Sequence, residues 1–127
     1  MDASRPRVLV VDDDLACRVL AALFLENAGY SPTAVGSVDR ALERFDEDGA
    51  DVVLTDLLMP ERSGLDLLLA LRERRARVPI VVVTGSDDAV LLELAVAVGA
   101  HAIVHKPYGA AELAAAAADA LALDSAA

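Results

Sequence analysis

A short apolar run that ends in three acids lies near the start of this chain: Val8-Leu9-Val10-Val11-Asp12-Asp13-Asp14. Because its four apolar residues are consecutive and mostly β-branched, the run predicts a strand that is buried on both faces. Strands of this kind are typical of parallel sheets whose two faces are covered by helices. The stretch therefore predicts an α/β fold.

The rest of the chain alternates between strand-like and helix-like segments. Strands are predicted at residues 8–11, 31–35, 52–55, 80–84 and 102–104. Helices are predicted at residues 15–28, 38–48, 65–75, 89–98 and 110–123, with glycines beside most of their ends. Five βα units with short connections require right-handed crossovers, which predicts a doubly wound sheet in one domain.

The composition limits the class of protein. The chain has 127 residues, and its 11 Lys and Arg against 21 Asp and Glu give a formal net charge of −10. A hydrophobic share of 56 % supplies a core and excludes intrinsic disorder. The acidic charge and an aromatic share of 3 % argue against a nucleic-acid or anionic-membrane partner. The one basic cluster spans Arg72 to Arg77.

Location and cysteine chemistry follow from what the sequence contains. No run approaches a signal-peptide core or the roughly 18 apolar residues of a membrane span, so we expect a cytoplasmic protein without membrane association. The single cysteine, Cys17, has no intramolecular disulfide partner and lies in a predicted helix. We interpret it as a packing residue.

Polar residues follow four of the predicted strands at the same edge of the sheet: Asp12, Asp13, Asp14, Asp56, Thr84 and Lys106. Because the carboxyl ends of parallel strands converge, we expect these side chains to meet in one crevice. The clustered carboxylates require raised pKa values or a bound cation, and oxygen ligands without His or Cys favour Mg²⁺ over Zn²⁺. A carboxylate beside a cation, a hydroxyl and a lysine predicts an acceptor of phosphoryl groups.

Each of these residues also has an ordinary structural interpretation. The acids are compatible with turns and helix caps, Thr84 with a strand end before a cap at Ser86 or Asp87, and Lys106 with the surface. Their joint occurrence at four strand ends is what favours the functional interpretation. Asp14 is an extra acid that either caps the first helix or holds a water near the metal.

Four stretches resemble the receiver domain of bacterial two-component response regulators: V-L-V-V-D-D-D, V-V-L-T-D-L-L-M-P-E-R-S-G, I-V-V-V-T-G-S and V-H-K-P-Y. The resemblance covers essentially the whole chain, and Met59-Pro60 followed by Gly64 is particularly specific. It implies a flavodoxin-like sheet in the order 2-1-3-4-5, in one receiver domain of residues 1–127 with a core of about 6–123. It also implies either a stand-alone, chemotaxis-regulator-like protein or a portion of a longer one.

The resemblance implies a role for each matching residue. Asp56 is then the phosphoacceptor, and a histidine kinase or a histidine phosphotransfer protein supplies the phosphoryl group. The Mg²⁺ ion is held by Asp12, Asp13, Asp56 and the carbonyl of Leu58. Thr84 and Lys106 contact the phosphoryl oxygens, and the Lys106-Pro107 peptide bond is cis.

Three positions bear on the output and on the lifetime of the phosphorylated form. Ile103 stands where the family commonly has an aromatic residue, so the output cannot depend on the rotation of an aromatic ring. Leu58 and Ser86 occupy the positions that flank the approach of water to the phosphoryl group in receivers. An apolar side chain cannot orient that water, so we expect a comparatively long-lived phosphorylated form.

Helical periodicity predicts which faces of two helices are buried. In the first helix Cys17, Leu20, Leu23 and Phe24 are predicted to face inward, and Leu15, Val19, Ala22 and Glu26 outward, where they suit docking onto a four-helix phosphotransfer bundle. In the fourth helix Val90, Leu94 and Val98 are predicted to face inward. Leu92 and Val96 then face outward as contacts for a downstream protein or a second copy.

A small Mg²⁺-dependent phosphatase with Asp56 as its nucleophile is the alternative function. Phosphatases that resemble the haloacid-dehalogenase group need a second acid two residues beyond the nucleophile, and this chain has Leu58 there. No insertion able to enclose a substrate is visible. We therefore expect a phosphoacceptor with slow self-dephosphorylation rather than a turnover enzyme.

Overall fold

The computed structural model describes residues 5–74 and 77–126, which form a five-stranded parallel sheet flanked by helices. The strands are β1 (Arg7–Val11), β2 (Ser31–Val35), β3 (Val52–Asp56), β4 (Ile80–Thr84) and β5 (Ala102–His105). The helices are α1 (Leu15–Asn27), α2 (Val38–Asp48), α3 (Gly64–Glu73), α4 (Ala89–Val98) and α5 (Ala110–Ala126). The sheet order is β2-β1-β3-β4-β5, so the predicted doubly wound, flavodoxin-like fold is confirmed.

Alternate residues of each central strand enter two separate cores. Leu9 and Val53 point towards α2, α3 and α4, whereas Val8 and Val52 point towards α1 and α5. Every residue of β3 and β4 is buried, because helices cover both of their faces. This burial explains why the strands are continuous apolar runs rather than alternating ones.

Most element ends lie within two residues of the predicted ones, because local signals specify them. Ser63 and Asp66 form a reciprocal capping box at the start of α3. The predicted end of that helix, Arg75, lies outside the described residues, and so does part of the basic cluster. Asp88 caps α4, so the expectation of a cap at Ser86 or Asp87 was wrong.

The predicted inner face of α1 was wrong in part. Ala21 and Leu25 are the buried residues of this helix, whereas Leu20 and Leu23 are exposed. Because α1 carries apolar residues on nearly every side, periodicity alone does not select the buried face. A small residue such as Ala21 allows the helix backbone to lie close to the sheet and to α5, with which α1 is in contact.

The predicted faces of α4 were also wrong in part. Ala95 is fully buried in the core, whereas Val90 and Leu94 are exposed. Leu92 is half-buried and packs against the core, although it was predicted to face outward, and only Val96 is exposed as expected. The reason is again a small residue, because Ala95 lets the backbone of α4 lie close to the core.

Within the described ranges, no helix has the length and apolar character that a membrane crossing requires.

Candidate functional site

The polar residues that follow the strands meet at the carboxyl edge of the sheet. Asp12 follows β1, and Asp56 and Thr84 are the last residues of β3 and β4. Carboxylate oxygens of Asp12, Asp13 and Asp56 all lie within 4.8 Å of one another. Lys106 follows β5 and reaches into the same crevice. The structure thus brings together four of the six residues that the sequence analysis selected, Asp12, Asp13, Asp56 and Lys106.

Lys106 connects two of the three acids. Its Nζ donates to Asp12 Oδ2 at 2.8 Å and to Asp56 Oδ2 at 3.0 Å, and it lies 3.7 Å from the Cys17 sulfur. Burial by itself lowers the pKa of the Lys106 ammonium, but the hydrogen bonds and negative charges of Asp12 and Asp56 outweigh it and raise that pKa. The lysine is therefore a permanent positive charge in the crevice at neutral pH.

The end of β5 is tied to the end of β4. The backbone N–H of Lys106 donates to the Thr84 carbonyl at 2.8 Å, and the Lys106-Pro107 peptide bond is cis, the isomer that the resemblance implied. Cys17 is half-buried and packs beside Lys106.

Asp56 is held by its own loop. It is 9 % exposed, and its Oδ1 accepts hydrogen bonds from the backbone N–H groups of Leu57 (2.7 Å) and Leu58 (3.3 Å). Its backbone carbonyl accepts a hydrogen bond from the Thr55 hydroxyl at 2.9 Å. Its other carboxylate oxygen, Oδ2, accepts the hydrogen bond from Lys106 Nζ.

Gly64 is a structural requirement of the site that sequence reasoning left unexplained. A Cβ on this residue would lie 2.4 Å from the Asp56 carbonyl oxygen and 2.9 Å from the Leu57 Cα. The start of α3 therefore packs directly on the backbone that carries the acceptor aspartate. A glycine eight residues after a strand-terminal aspartate was the available signal.

The three acids after β1 have different surroundings. Asp12 is 6 % exposed, and its Oδ1 accepts a hydrogen bond from the Asp14 N–H at 2.9 Å. Asp13 is exposed at the mouth of the crevice. Asp14 accepts hydrogen bonds from the N–H groups of Ala16 and Cys17, so it caps α1. Of the two roles left open for Asp14, the structure supports the cap.

The structure also gives the surroundings of three further predicted residues, Thr84, Leu58 and Ile103. Thr84 is fully buried, and its Oγ1 accepts a hydrogen bond from the Ser86 N–H at 3.1 Å. The Leu58 side chain is 55 % exposed. Ile103 is half-buried and lines a shallow groove of about 290 Å³ with Leu92, Glu93 and Val96. Ile103 therefore packs against the core and also lines the surface groove beside α4.

A parallel sheet with acids at its carboxyl edge defines an α/β module that binds its ligand beyond the strand ends. The family model of the response regulator receiver domain matches residues 8–118. The chain belongs to the response regulator receiver domain family, which functions in two-component signal transduction.

Curated relatives include two response regulators of Mycobacterium tuberculosis. The sensory transduction protein RegX3 is 39 % identical over 106 residues, which are 84 % of this chain and 46 % of RegX3. The DNA-binding response regulator MtrA is 36 % identical over 113 residues, which are 89 % of this chain and 49 % of MtrA. This chain therefore spans about half the length of these relatives.

Solved structures show the same architecture at lower identity. A receiver domain protein from Clostridium thermocellum superposes with a TM-score of 0.89 at 28 % identity, covering 95 % of this chain and 98 % of that one. The chemotaxis protein CheY4 from Vibrio cholerae superposes with a TM-score of 0.88 at 26 % identity, covering 93 % of this chain and all of CheY4.

Membership in the family carries general properties. Receiver domains are phosphoacceptors rather than turnover enzymes, and response regulators of this kind have histidine kinases as partners. Receiver domains bind Mg²⁺ through an acidic pocket. The three clustered carboxylates of this chain are hard oxygen donors, so they fit that ion.

Proposed function

We propose that this chain accepts a phosphoryl group on Asp56 from the phosphohistidine of a histidine kinase or histidine phosphotransfer protein, in a Mg²⁺-dependent reaction. The observation that supports it is the crevice in which Asp12, Asp13 and Asp56 converge while Lys106 bridges Asp12 and Asp56. A permanently charged lysine beside a buried carboxylate serves phosphoryl transfer, because it neutralises charge on the transferred group.

The transfer itself is a single displacement at phosphorus. A carboxylate oxygen of Asp56 forms the new P–O bond as the P–N bond to the partner's imidazole breaks, and the imidazole nitrogen takes up a proton. The buried hydroxyl of Thr84 and the ammonium of Lys106 then contact the phosphoryl oxygens. The product is an acyl phosphate on Asp56.

The metal ligands in this proposal are Asp12, Asp13, Asp56 and the backbone carbonyl of Leu58. When bound, Mg²⁺ stabilises the negative charge of the transferred phosphoryl oxygens. The Lys106 ammonium offsets part of the repulsion among these carboxylates, and a bound Mg²⁺ would offset more of it.

We place the partner's docking surface on α1 and the output surface on α4. Leu15 and Val19 are exposed on α1 beside the crevice, which suits a helical phosphotransfer partner in the cytoplasm. Phosphorylation signals through the loop after Thr84 and through α4, by protein docking or phosphorelay, with Ile103 in place of an aromatic switch. Val96 is the exposed contact on α4 for a downstream protein or a second copy.

Incubation with a small acyl-phosphate donor and Mg²⁺, followed by intact-mass measurement, tests the proposal. The parent should gain the mass of one phosphoryl group, and Asp56→Asn should gain none. The exposed α2 residue Asp39 supplies the matched control, since Asp39→Asn should be labelled like the parent. An adduct that persists in Asp56→Asn would place the chemistry elsewhere, and catalytic release of phosphate would favour the phosphatase.

A further inference from the structure

Arg18, a residue of α1, makes an unusual contact with the acidic loop, the three aspartates 12–14 that follow β1. Its Nη1 donates a hydrogen bond of 2.8 Å to the backbone carbonyl of Asp12, so its bond goes to a neutral carbonyl although three carboxylates cluster nearby. Among residues 5–74 and 77–126, no carboxylate oxygen forms an ion pair with Arg18. This half-buried guanidinium therefore acts on the backbone of the loop rather than on its side chains.

Gly36 makes room for that guanidinium. A Cβ on Gly36, the residue that follows β2, would lie 2.7 Å from Arg18 Nη1 and 3.4 Å from its Cζ. The backbone of Gly36 does not have a positive φ, so an alanine meets no conformational barrier there. What opposes a side chain at this position is the tip of Arg18.

Hydrogen bonds hold both the backbone and the carboxylate of Asp12. Its N–H donates to the Val35 carbonyl at 3.1 Å, its carbonyl accepts from Arg18, and its carboxylate oxygens accept from the Asp14 N–H and from Lys106. Arg18 thus links α1 to the end of β1 beside the turn that contains Gly36. Without Arg18, the peptide plane between Asp12 and Asp13 loses the hydrogen bond that holds its carbonyl oxygen.

We infer that Arg18 is a positioning residue for the metal site, an inference that rests on the proposed function. By fixing the peptide plane after Asp12, it sets the direction in which the carboxylates of Asp12 and Asp13 present their oxygens to Mg²⁺. Groups that orient metal ligands typically change affinity by about 10- to 100-fold when removed. Because this contact acts through the backbone, we expect the lower figure.

The positive charge of Arg18 and its positioning role predict opposite changes in Mg²⁺ affinity when Arg18 is replaced, which makes the inference testable. A positive charge near a cation site repels the cation, so loss of charge alone strengthens Mg²⁺ binding. Loss of positioning weakens it. The sign of the change in Mg²⁺ affinity therefore separates the two.

Calorimetric titration with Mg²⁺ of the unphosphorylated protein is the experiment. Arg18→Met, which keeps the apolar stem, should raise the Kd about tenfold, and Arg18→Lys should recover part of the loss. Gly36→Ala should weaken binding in the same direction by displacing the guanidinium. Combined with Arg18→Met it should add nothing further, since the two changes remove the same contact.

Arg44→Met is the matched control, because it removes an exposed arginine that pairs with Asp48 on α2 and should leave the Kd unchanged. Thermal unfolding of each variant verifies that it is folded. Equal or tighter Mg²⁺ binding by Arg18→Met, or additive effects in the double variant, would overturn the inference alone. Failure of the parent to bind Mg²⁺ would overturn the proposed function and this inference together.

Discussion

Replacing Gly64 with alanine tests how closely α3 packs on the loop that begins at Asp56 and Leu57. The added methyl group would lie 2.4 Å from the Asp56 carbonyl oxygen and 2.9 Å from the Leu57 Cα, and both neighbours are backbone atoms that no rotamer change can move. Relief of the clash therefore requires a shift of α3 or of the loop. The backbone N–H of Gly64 also donates a 2.9 Å hydrogen bond to the Leu57 carbonyl of this loop.

The expected magnitude is the difference between two effects. Overpacking costs about 1–3 kcal/mol, and a contact this short with backbone belongs at the upper end. Alanine gains at most about 1 kcal/mol over glycine, the value for a helix interior, since Gly64 is the first residue of α3. The net loss for Gly64→Ala is about 2 kcal/mol, which for a domain of this size lowers the Tm by about 8 °C.

Urea unfolding followed by far-ultraviolet circular dichroism measures this loss, since the chain has no Trp to report by fluorescence. Gly85→Ala is the control, because a Cβ there meets nothing within 4 Å. It should stay within about 0.5 kcal/mol of the parent. A Gly64→Ala protein as stable as the parent, with normal labelling of Asp56, would refute the packing argument.

Four other perturbations have definite expected outcomes. Asp14→Ala removes the cap of α1 and should cost about 1 kcal/mol in urea unfolding while labelling of Asp56 persists; lost labelling would give Asp14 a role in the site. Leu58→Asn should shorten the lifetime of the phosphorylated form at saturating Mg²⁺, and an equal or longer lifetime would show that Leu58 does not control access of water. Val96→Asp should weaken association with a target or a second copy without changing phosphorylation, whereas unaltered association would exclude this surface. Because the folded protein raises the pKa of Lys106 above its ordinary value of 10.5, the stability that this lysine contributes should be constant below that pH and decline above it. The difference in unfolding free energy between the parent and Lys106→Met reports this decline, and a difference that does not narrow at high pH would contradict it.

Local signals in the sequence determined the elements of this protein. Residues 31–35, 38–48, 80–84 and 89–98 were predicted with the bounds that the structure has, because β-branched runs, caps and glycines act over a few residues. The resemblance to the receiver family implied the order of strands that the structure has. The meeting of Asp12, Asp13, Asp56 and Lys106 was predictable from the topology, since the carboxyl ends of parallel strands lie at one edge.

Only the tertiary structure decided which faces of α1 and α4 are buried. Both helices are apolar on most sides, so their periodicity carries little information about direction. The choice depends on how closely a helix backbone can approach the sheet, and that favours Ala21 and Ala95 over the larger Leu20 and Leu94. Similarly, the contact of Arg18 with Asp12 and the close approach of Gly64 to Asp56 depend on distances between elements, which no local pattern of residues encodes.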